Sequence, residues 1–233
     1  MPSRSWRWSG PERPGFLRTE LKARFPIAVL VSGSGTNLQA ILDRVHGRDG
    51  IDVVAVASSK QGARALARAQ AEGIETAVFE RTSYPSRRER DRAMADWLEE
   101  RGVELVVLAG FMELLDEGFL ARFPSRVINV HPALLPAFPG AHPVEDQIAY
   151  GVKVGGVTVH FVDDGVDSGP IILQEAVRLP PGGGPDETLE ILHETEHELL
   201  PRAIKLFAAG AVRFDERNPR LVLVDEQVLE PAR

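Results

Sequence analysis

The sequence contains no cysteine among its 233 residues. Disulfide frameworks, thiolate nucleophiles and cysteine-ligated zinc sites are therefore excluded, because each of them needs a thiol. Aromatic residues are sparse at 6% of the chain, whereas hydrophobic residues make up 43% and charged residues 26%. The two larger fractions are typical of a globular protein, and a chain of this length can fold without a disulfide or a structural metal. We expect a single α/β domain.

Positive charge is outnumbered by negative charge: 27 lysines and arginines stand against 34 aspartates and glutamates, which gives a formal net charge of −7. Nucleic acid is therefore not an expected partner, because neutralising several backbone phosphates requires clustered basic side chains. The chain also lacks an apolar run of the roughly 18 to 20 residues that cross a bilayer, so no membrane association is expected. The absence of thiols fits a reducing compartment, and we expect the protein to be cytoplasmic.

The two ends of the chain differ in pattern from the part between them. Residues 1–25 are rich in arginine and tryptophan but lack the apolar segment of a secretory signal. We interpret them as a disordered N-terminal extension with no assigned chemistry. Residues 26–210 are predicted to form the functional domain, and residues 211–233 a C-terminal hairpin and tail that turns around Asn218-Pro219.

Short β-branched runs alternate with longer helical patterns through the predicted domain, which is typical of a parallel sheet covered by helices. We predict an α/β fold, doubly wound, with a mostly parallel open sheet and helices on both faces. The last two strands are expected to pair antiparallel, and Asp186 to cap the final helix. The predicted strands are 27–31, 53–57, 75–79, 105–109, 126–130, 155–162 and 171–177; the predicted helices begin near 38, 63, 86, 144 and 186.

A glycine-rich turn follows the first predicted strand. Gly33 and Gly35 let the backbone turn sharply and direct N–H groups toward an anion at the start of the next helix. Such turns also occur simply to fit a strand to a helix, and this alternative stays open. No Gly-Lys-Ser or Gly-Lys-Thr follows, and Leu38 stands at the third glycine position of a dinucleotide fingerprint. The turn therefore fits a mononucleotide phosphate better than a dinucleotide.

Three polar residues fall where the ligand edge of such a sheet is expected. Asn129 and His131 flank one residue at the end of the fifth strand, so strand alternation puts both side chains on one face. Asp167 lies in a turn that could fold over the same edge. Each has a structural alternative: an amide that satisfies a turn, a core histidine, or an exposed acidic loop. Together they predict a catalytic site.

Several segments carry a family resemblance that covers roughly residues 27–210. They are SGSGTNLQ (32–39), LAGFM (108–112), NVHPALLP (129–136), PG (139–140), TVHFV (158–162) and DSGPIILQ (167–174). With these segments the chain resembles the formyltetrahydrofolate-using transferases, and the glycinamide ribonucleotide branch in particular. Its length disfavours two relatives, because the transfer-RNA formyltransferases carry an extra basic C-terminal domain and the formyltetrahydrofolate deformylases an extra N-terminal regulatory domain.

The resemblance implies that a formyl group moves from 10-formyltetrahydrofolate, a co-substrate, to the amine of glycinamide ribonucleotide, without a metal or a covalent intermediate. Asn129 and a protonated His131 would donate hydrogen bonds to the oxyanion, Asp167 would hold the charged imidazole and assist proton transfer, and His160 would support them. We expect a monomer or a homodimer. The implied nucleotide contacts are Gly35, Thr36, Asn37, His193 and Glu196. The implied folate contacts are Arg87, Met112, Glu113, Leu115, Val162, Asp163, Asp164 and Asp167.

Two residues depart from the pattern of that branch, and one motif suggests other chemistry. Glu113 stands where an arginine is usual, and His193 where a glutamine is usual. The segment 193–197 also spells His-Glu-x-x-His on a helix, the motif of zinc hydrolases with Glu194 as general base. The alternatives to formyl transfer are therefore a deformylase-like hydrolase, a zinc hydrolase and a non-catalytic nucleotide-binding module.

Overall fold

The computed structural model describes residues 24–229 and contains one seven-stranded sheet, in the order β3-β2-β1-β4-β5-β6-β7. The first five strands pair parallel, and β6 runs antiparallel to both β5 and β7. This arrangement confirms the predicted fold class. The strands are β1 (Phe25–Val31), β2 (Ile51–Ser58), β3 (Glu75–Val78), β4 (Leu105–Leu108), β5 (Val127–His131), β6 (Val154–Phe161) and β7 (Ile171–Arg178).

Helices cover both faces of the sheet, because its central strands are apolar on both sides. In β1, Ile27 and Val29 belong to the same core cluster as residues of α1, α2, α5 and α6, whereas Ala28 and Leu30 pack with residues of α3 and α4.

Among the helices that the structure describes, none is both long and apolar enough to cross a membrane. The helices are α1 (Thr36–Arg44), α2 (Arg64–Ala71), α3 (Arg87–Glu99), α4 (Glu117–Arg122), α5 (Pro143–Tyr150) and α6 (Pro185–Ala208).

The helix starts differ in how well they match the sequence prediction. The helix predicted to begin near residue 86 is α3, and Ser86 caps it, because its Oγ accepts a hydrogen bond from the backbone N–H of Glu89 at 3.1 Å. The prediction that Asp186 caps the last helix is wrong. Gly184 occupies the cap position of α6 and Pro185 the first helical position, so Asp186 lies in the first turn. The short helix α4 was not predicted.

The predicted extension and tail lie at the two ends of the chain. Residues 1–23 of the predicted extension lie outside the described residues, and β1 begins at Phe25, two residues before the predicted strand. At the other end, β8 (Val212–Phe214) pairs antiparallel with β9 (Val222–Val224). The division of the chain into an extension, a domain and a tail stays a prediction.

The strand order places a ligand crevice between β1 and β4. The chain leaves β1 toward β2 and β3, and then crosses to the other side of β1 to form β4 and β5. Ligands of open α/β sheets bind at such a switch point, outside the carboxyl ends of the strands. The segments that follow β1, β4 and β5 are 32–35, 109–116 and 132–142. The first two contain predicted site residues, and the third directly follows His131, the last residue of β5.

Gly35 is the position in the first of these segments where glycine is required. Its φ is +76°, and a Cβ on it would lie 2.6 Å from the Cβ of Ala65. Gly33 offers a matched comparison, because its backbone is not left-handed and a Cβ there meets no heavy atom within 4 Å.

We therefore expect Gly35→Ala to lower the free energy of unfolding by about 1–3 kcal/mol through backbone strain and steric overlap. Gly33→Ala should change it by less than about 0.5 kcal/mol. Urea denaturation of both variants measures the difference, and equal stability of the two would contradict the assignment of Gly35 as the strained position.

Candidate active site

The pairing of β5 with β6 assembles the first part of the site. Asn129 and His131 lie on the same face of β5, and Asn129 is paired with His160 across the antiparallel ladder. The Nδ1 of His160 donates to the carbonyl oxygen of Phe161 at 2.8 Å. In a neutral ring the Nε2 of His160 is then an acceptor, and it lies 3.2 Å from the Nδ2 of Asn129.

Asp167 reaches these side chains from the loop between β6 and β7. Its backbone is left-handed, with a φ of 48°, a conformation that aspartate adopts more readily than most residues. The loop closes on Asp163, whose Oδ1 accepts from the Ser168 hydroxyl at 2.7 Å and from the backbone N–H of Gly165 at 3.2 Å. At Gly169 the loop passes so close to β6 that a Cβ would lie 1.7 Å from the carbonyl oxygen of Phe161.

The carboxylate of Asp167 is the centre of the cluster. Its Oδ2 accepts from the backbone N–H of Gly140 at 2.8 Å and lies 3.4 Å from the Nδ1 of His131. Its Oδ1 lies 3.3 Å from the Nδ2 of Asn129 and 3.5 Å from the Nε2 of His160. The structure thus brings together the four residues that were selected as catalytic or supporting. Their catalytic roles stay a prediction.

Burial and hydrogen bonding act in opposite directions on the charges of this cluster. Burial lowers the pKa of His131 from its ordinary value, against the hydrogen bond to Phe138 and the charge of Asp167. For Asp167, burial would raise the pKa, but the contact with His160, the hydrogen bond from Gly140 and the charge of the nearby imidazoles bring it below its ordinary value. The free protein therefore combines an ionised carboxylate with an imidazole that resists protonation, whereas the resemblance implied a protonated His131.

A pocket opens beside the cluster, between the segment after β4 and the β6–β7 loop. It includes seven of the eight residues predicted to contact folate. Met112 is the exception: its side chain is 70% exposed and does not line the pocket, and its backbone N–H donates to the Ser32 hydroxyl at 2.9 Å. The lining residues are Arg87, Leu108, Phe111, Glu113, Leu114, Leu115, Asn129, His160, Val162, Asp163, Asp164, Gly165, Val166 and Asp167.

The predicted nucleotide contacts gather at the start of α1. Gly35 occupies the cap position, and the Nδ2 of Asn37 donates to the Oε2 of Glu196 on α6 at 2.9 Å. The Oδ1 of Asn37 is buried and has no hydrogen-bond partner within residues 24–229. The Nε2 of His193 lies 3.9 Å from the Oε2 of Glu196. An unpartnered acceptor, a carboxyl group and an imidazole therefore meet at a helix N-terminus.

Comparison with known proteins identifies the family. A sequence model described as formyl transferase matches residues 25–204. A phosphoribosylglycinamide formyltransferase from Haemophilus influenzae is 39% identical over 82% of this chain and 90% of its own length. The crystal structure of glycinamide ribonucleotide transformylase 1 from Symbiobacterium toebii has a TM-score of 0.83 and 44% identity, covering 87% of this chain and 95% of that one. The chain belongs to the formyl transferase family.

Longer proteins also contain this formyl transferase sequence. The trifunctional purine biosynthetic protein adenosine-3 of Gallus gallus is 42% identical over 82% of this chain. The chain spans 14 to 21% of the length of the four first-ranked trifunctional relatives. In them, the matched part is thus one segment of a much larger polypeptide.

The His-Glu-x-x-His segment of this chain does not have the geometry of a zinc site. The rings of His193 and His197 stack, with centroids 6.0 Å apart and an interplanar angle of 15°. The carboxyl group near His193 is that of Glu196, whereas Glu194 is exposed. Between residues 24 and 229, no group of three or more histidine, aspartate or glutamate side chains could hold a metal ion.

One buried charged pair beside the pocket was not predicted from the sequence. Arg90 and Asp91 on α3 are both 0% exposed. Their spacing could have revealed their burial, because Arg90 precedes the buried Met94 by four residues and Asp91 precedes the buried Ala95 by four. Residues four apart share a helix face, so two charged side chains were placed on the apolar face of α3.

The environment of Glu196 generates a prediction about pH and stability. Burial raises its pKa from the ordinary 4.5 to about 7, against the hydrogen bond from Asn37. Between these values the folded protein binds a proton that the unfolded chain releases. Glu196 therefore contributes stability that is fully present below pH 4.5 and is lost as the pH rises through about 7.

We expect Glu196→Gln to remove this dependence. The free energy of unfolding of the variant minus that of the unsubstituted protein should therefore increase by about 2 kcal/mol as the pH rises from 5 to 8. Glu190→Gln, an exposed position on the same helix, is the control and should show no such trend. Denaturant titrations across this pH range measure the effect, and parallel curves for all three proteins would contradict it.

Proposed function

We propose that this chain transfers the formyl group of 10-formyltetrahydrofolate to the amine of glycinamide ribonucleotide. The products are formylglycinamide ribonucleotide and tetrahydrofolate, in purine biosynthesis. The observation that carries the proposal is the Asn129–His131–Asp167 cluster at the sheet edge that also holds the turn at Gly35. Asn129 and Asp167 line the pocket, and His131 lies behind them with its Nδ1 3.4 Å from Asp167. Two bacterial relatives that this chain matches over 90% and 96% of their length are named phosphoribosylglycinamide formyltransferase, which supports the same reaction.

The sheet fixes the separation between the two substrates. The turn at Gly35 follows β1 and the cluster follows β5, with β4 between them. Two strand spacings amount to about 10 Å, which is a suitable distance between the phosphate and the amine of a small ribonucleotide. The phosphate binds the N–H groups at the start of α1 through Gly35, Thr36 and Asn37, with His193 beside it, while Glu196 contacts the ribose. Folate occupies the pocket lined by Arg87 and the residues after β4 and β6.

Chemistry begins when the substrate amine attacks the formyl carbon. A bond forms between the amine nitrogen and that carbon, and the carbonyl oxygen becomes an oxyanion. Two groups donate to this oxygen. One is an N–H of Asn129, whose Nδ2 in the free protein lies 3.3 Å from Asp167. The other is the Nε2–H of His131, which in the free protein donates to the carbonyl oxygen of Phe138 at 2.8 Å. One such donor is commonly worth ~3–4 kcal/mol in the transition state. The bond from the carbon to the folate N10 then breaks.

Proton transfer accompanies this exchange of bonds. The attacking amine must lose a proton and N10 of the departing folate must gain one, so protons balance without an external acid or base. Asp167 is ionised in the free protein and contacts the cluster on both oxygens. It accepts the amine proton, directly or through water, and returns it to N10. The developing oxyanion favours the protonated form of His131, which burial alone disfavours.

The test measures tetrahydrofolate formation by absorbance with glycinamide ribonucleotide present and absent. We expect release of tetrahydrofolate that depends on the ribonucleotide, and one formylated ribonucleotide for each folate consumed. Equal rates without the ribonucleotide would instead indicate a deformylase-like hydrolase. The cytoplasmic location and the monomeric or homodimeric state belong to this proposal and require separate measurements.

Substitutions in the cluster test its catalytic role. His131→Ala and Asp167→Asn should each lower kcat by at least about 100-fold, because each removes a group that stabilises charge or moves a proton. His142→Ala, an exposed histidine at the cap of α5, is the control and should retain the original kcat. Circular dichroism checks that all variants are folded. A near-normal kcat in a folded His131→Ala or Asp167→Asn protein would contradict the proposed mechanism.

A further inference from the structure

The guanidinium of Arg90 is fully buried next to the pocket, although it does not line it. A buried charge is tolerated only when it is paired and its hydrogen-bond donors are satisfied. Arg90 meets this requirement within α3, where its Nε donates to the Oδ1 of Asp91 at 2.7 Å. Its Nη2 lies 2.5 Å from the same oxygen, and both terminal nitrogens also contact another part of the chain.

Both terminal nitrogens reach the segment that follows β4. Nη1 of Arg90 donates to the Oε2 of Glu113 at 3.0 Å, and Nη2 donates to the carbonyl oxygen of Leu114 at 3.1 Å. The guanidinium carbon also lies 5.9 Å from the centre of the Phe111 ring. A planar fork with several donors in fixed directions can make all these contacts at once, which a single ammonium group cannot.

Asp91 holds the far end of the same segment. Its Oδ2 accepts from the backbone N–H of Asp116 at 2.8 Å, and Asp116 in turn caps α4 by accepting from the N–H of Phe119. The segment 111–116 is thus fixed from α3 at its beginning, middle and end. Four of its residues line the pocket: Phe111, Glu113, Leu114 and Leu115.

We propose that Arg90 is a positioning residue for the folate pocket, which it shapes by holding the segment 111–116 through Glu113 and Leu114. The inference rests on the proposed function for the identity of the ligand. It also assigns the carboxylate of Glu113 to Arg90 rather than to the ligand. A loss of this anchor should weaken folate binding without disturbing the ribonucleotide site at the start of α1.

The test compares two Arg→Lys variants. Arg90→Lys keeps the charge beside Asp91 but loses the fork, so the KM for 10-formyltetrahydrofolate should rise about tenfold. The KM for glycinamide ribonucleotide and the kcat at saturating folate should stay within about twofold. The matched control is Arg122→Lys, since Arg122 joins α4 to α3 through Asp96 and Glu99 away from the pocket. It should leave all three constants within about twofold.

A second variant decides the question if Arg90→Lys does not fold. Glu113→Gln leaves the pair of Arg90 and Asp91 intact and changes a side chain that is 33% exposed. It should raise the folate KM about threefold, because a neutral amide oxygen is a weaker acceptor than a carboxylate. An unchanged folate KM in folded Arg90→Lys would overturn the proposal, as would a parallel loss in both KM values and kcat. If Arg90→Lys is unfolded, an unchanged folate KM in Glu113→Gln would do so.

Calorimetric titration with 10-formyltetrahydrofolate separates this proposal from the proposed function. If the unsubstituted protein binds the folate but transfers no formyl group, the proposed function is wrong, but the dissociation constants still test the role of Arg90. Arg90→Lys should then bind the folate about tenfold more weakly, and equal dissociation constants would contradict a positioning role for Arg90. If the unsubstituted protein binds no folate, both proposals fail.

Discussion

The carboxylate of Asp167 joins the loop between β6 and β7 to the loop that follows β5. It accepts a hydrogen bond from the N–H of Gly140 in the loop after β5, and it lies against side chains of β5 and β6. Because it is ionised and partly buried, separation of these loops would leave a charge with fewer partners, which is costly in a poorly solvated site. The same contacts that lower its pKa therefore keep the proposed catalytic groups in register.

The sheet sets the separation between the two proposed ligand regions. Gly35 turns the chain into α1 beside the buried Asn37–Glu196 pair, and the proposed folate pocket begins two strands away at Asn129. Between them, the segment after β4 contacts both sides. Its Met112 N–H donates to Ser32 in the turn after β1, while Arg90 holds it from α3. A rigid spacing of this kind is what a transfer between two bound substrates requires.

The sequence predicts those features that depend on local patterning. Apolar runs locate the strands, strand alternation places Asn129 and His131 on one face, and Ser86 marks the start of α3. The sequence does not predict features whose local signal is weak or that depend on tertiary packing. The six-residue helix α4 is too short for a periodic signal, and the cap of α6 is a glycine followed by Pro185. The partner of Glu113 lies 23 residues earlier in the chain, so its unusual charge has no local explanation.

The most direct test is a crystal structure with glycinamide ribonucleotide and a folate that carries no transferable formyl group. We expect the phosphate at the N–H groups of α1 beside Gly35 and the pterin in the pocket beside Asp167. The substrate amine should lie within about 3.5 Å of the position that the formyl carbon would occupy, between Asn129 and His131. A phosphate bound elsewhere, or an amine directed away from these two side chains, would contradict the claim that the cluster joins the two substrates.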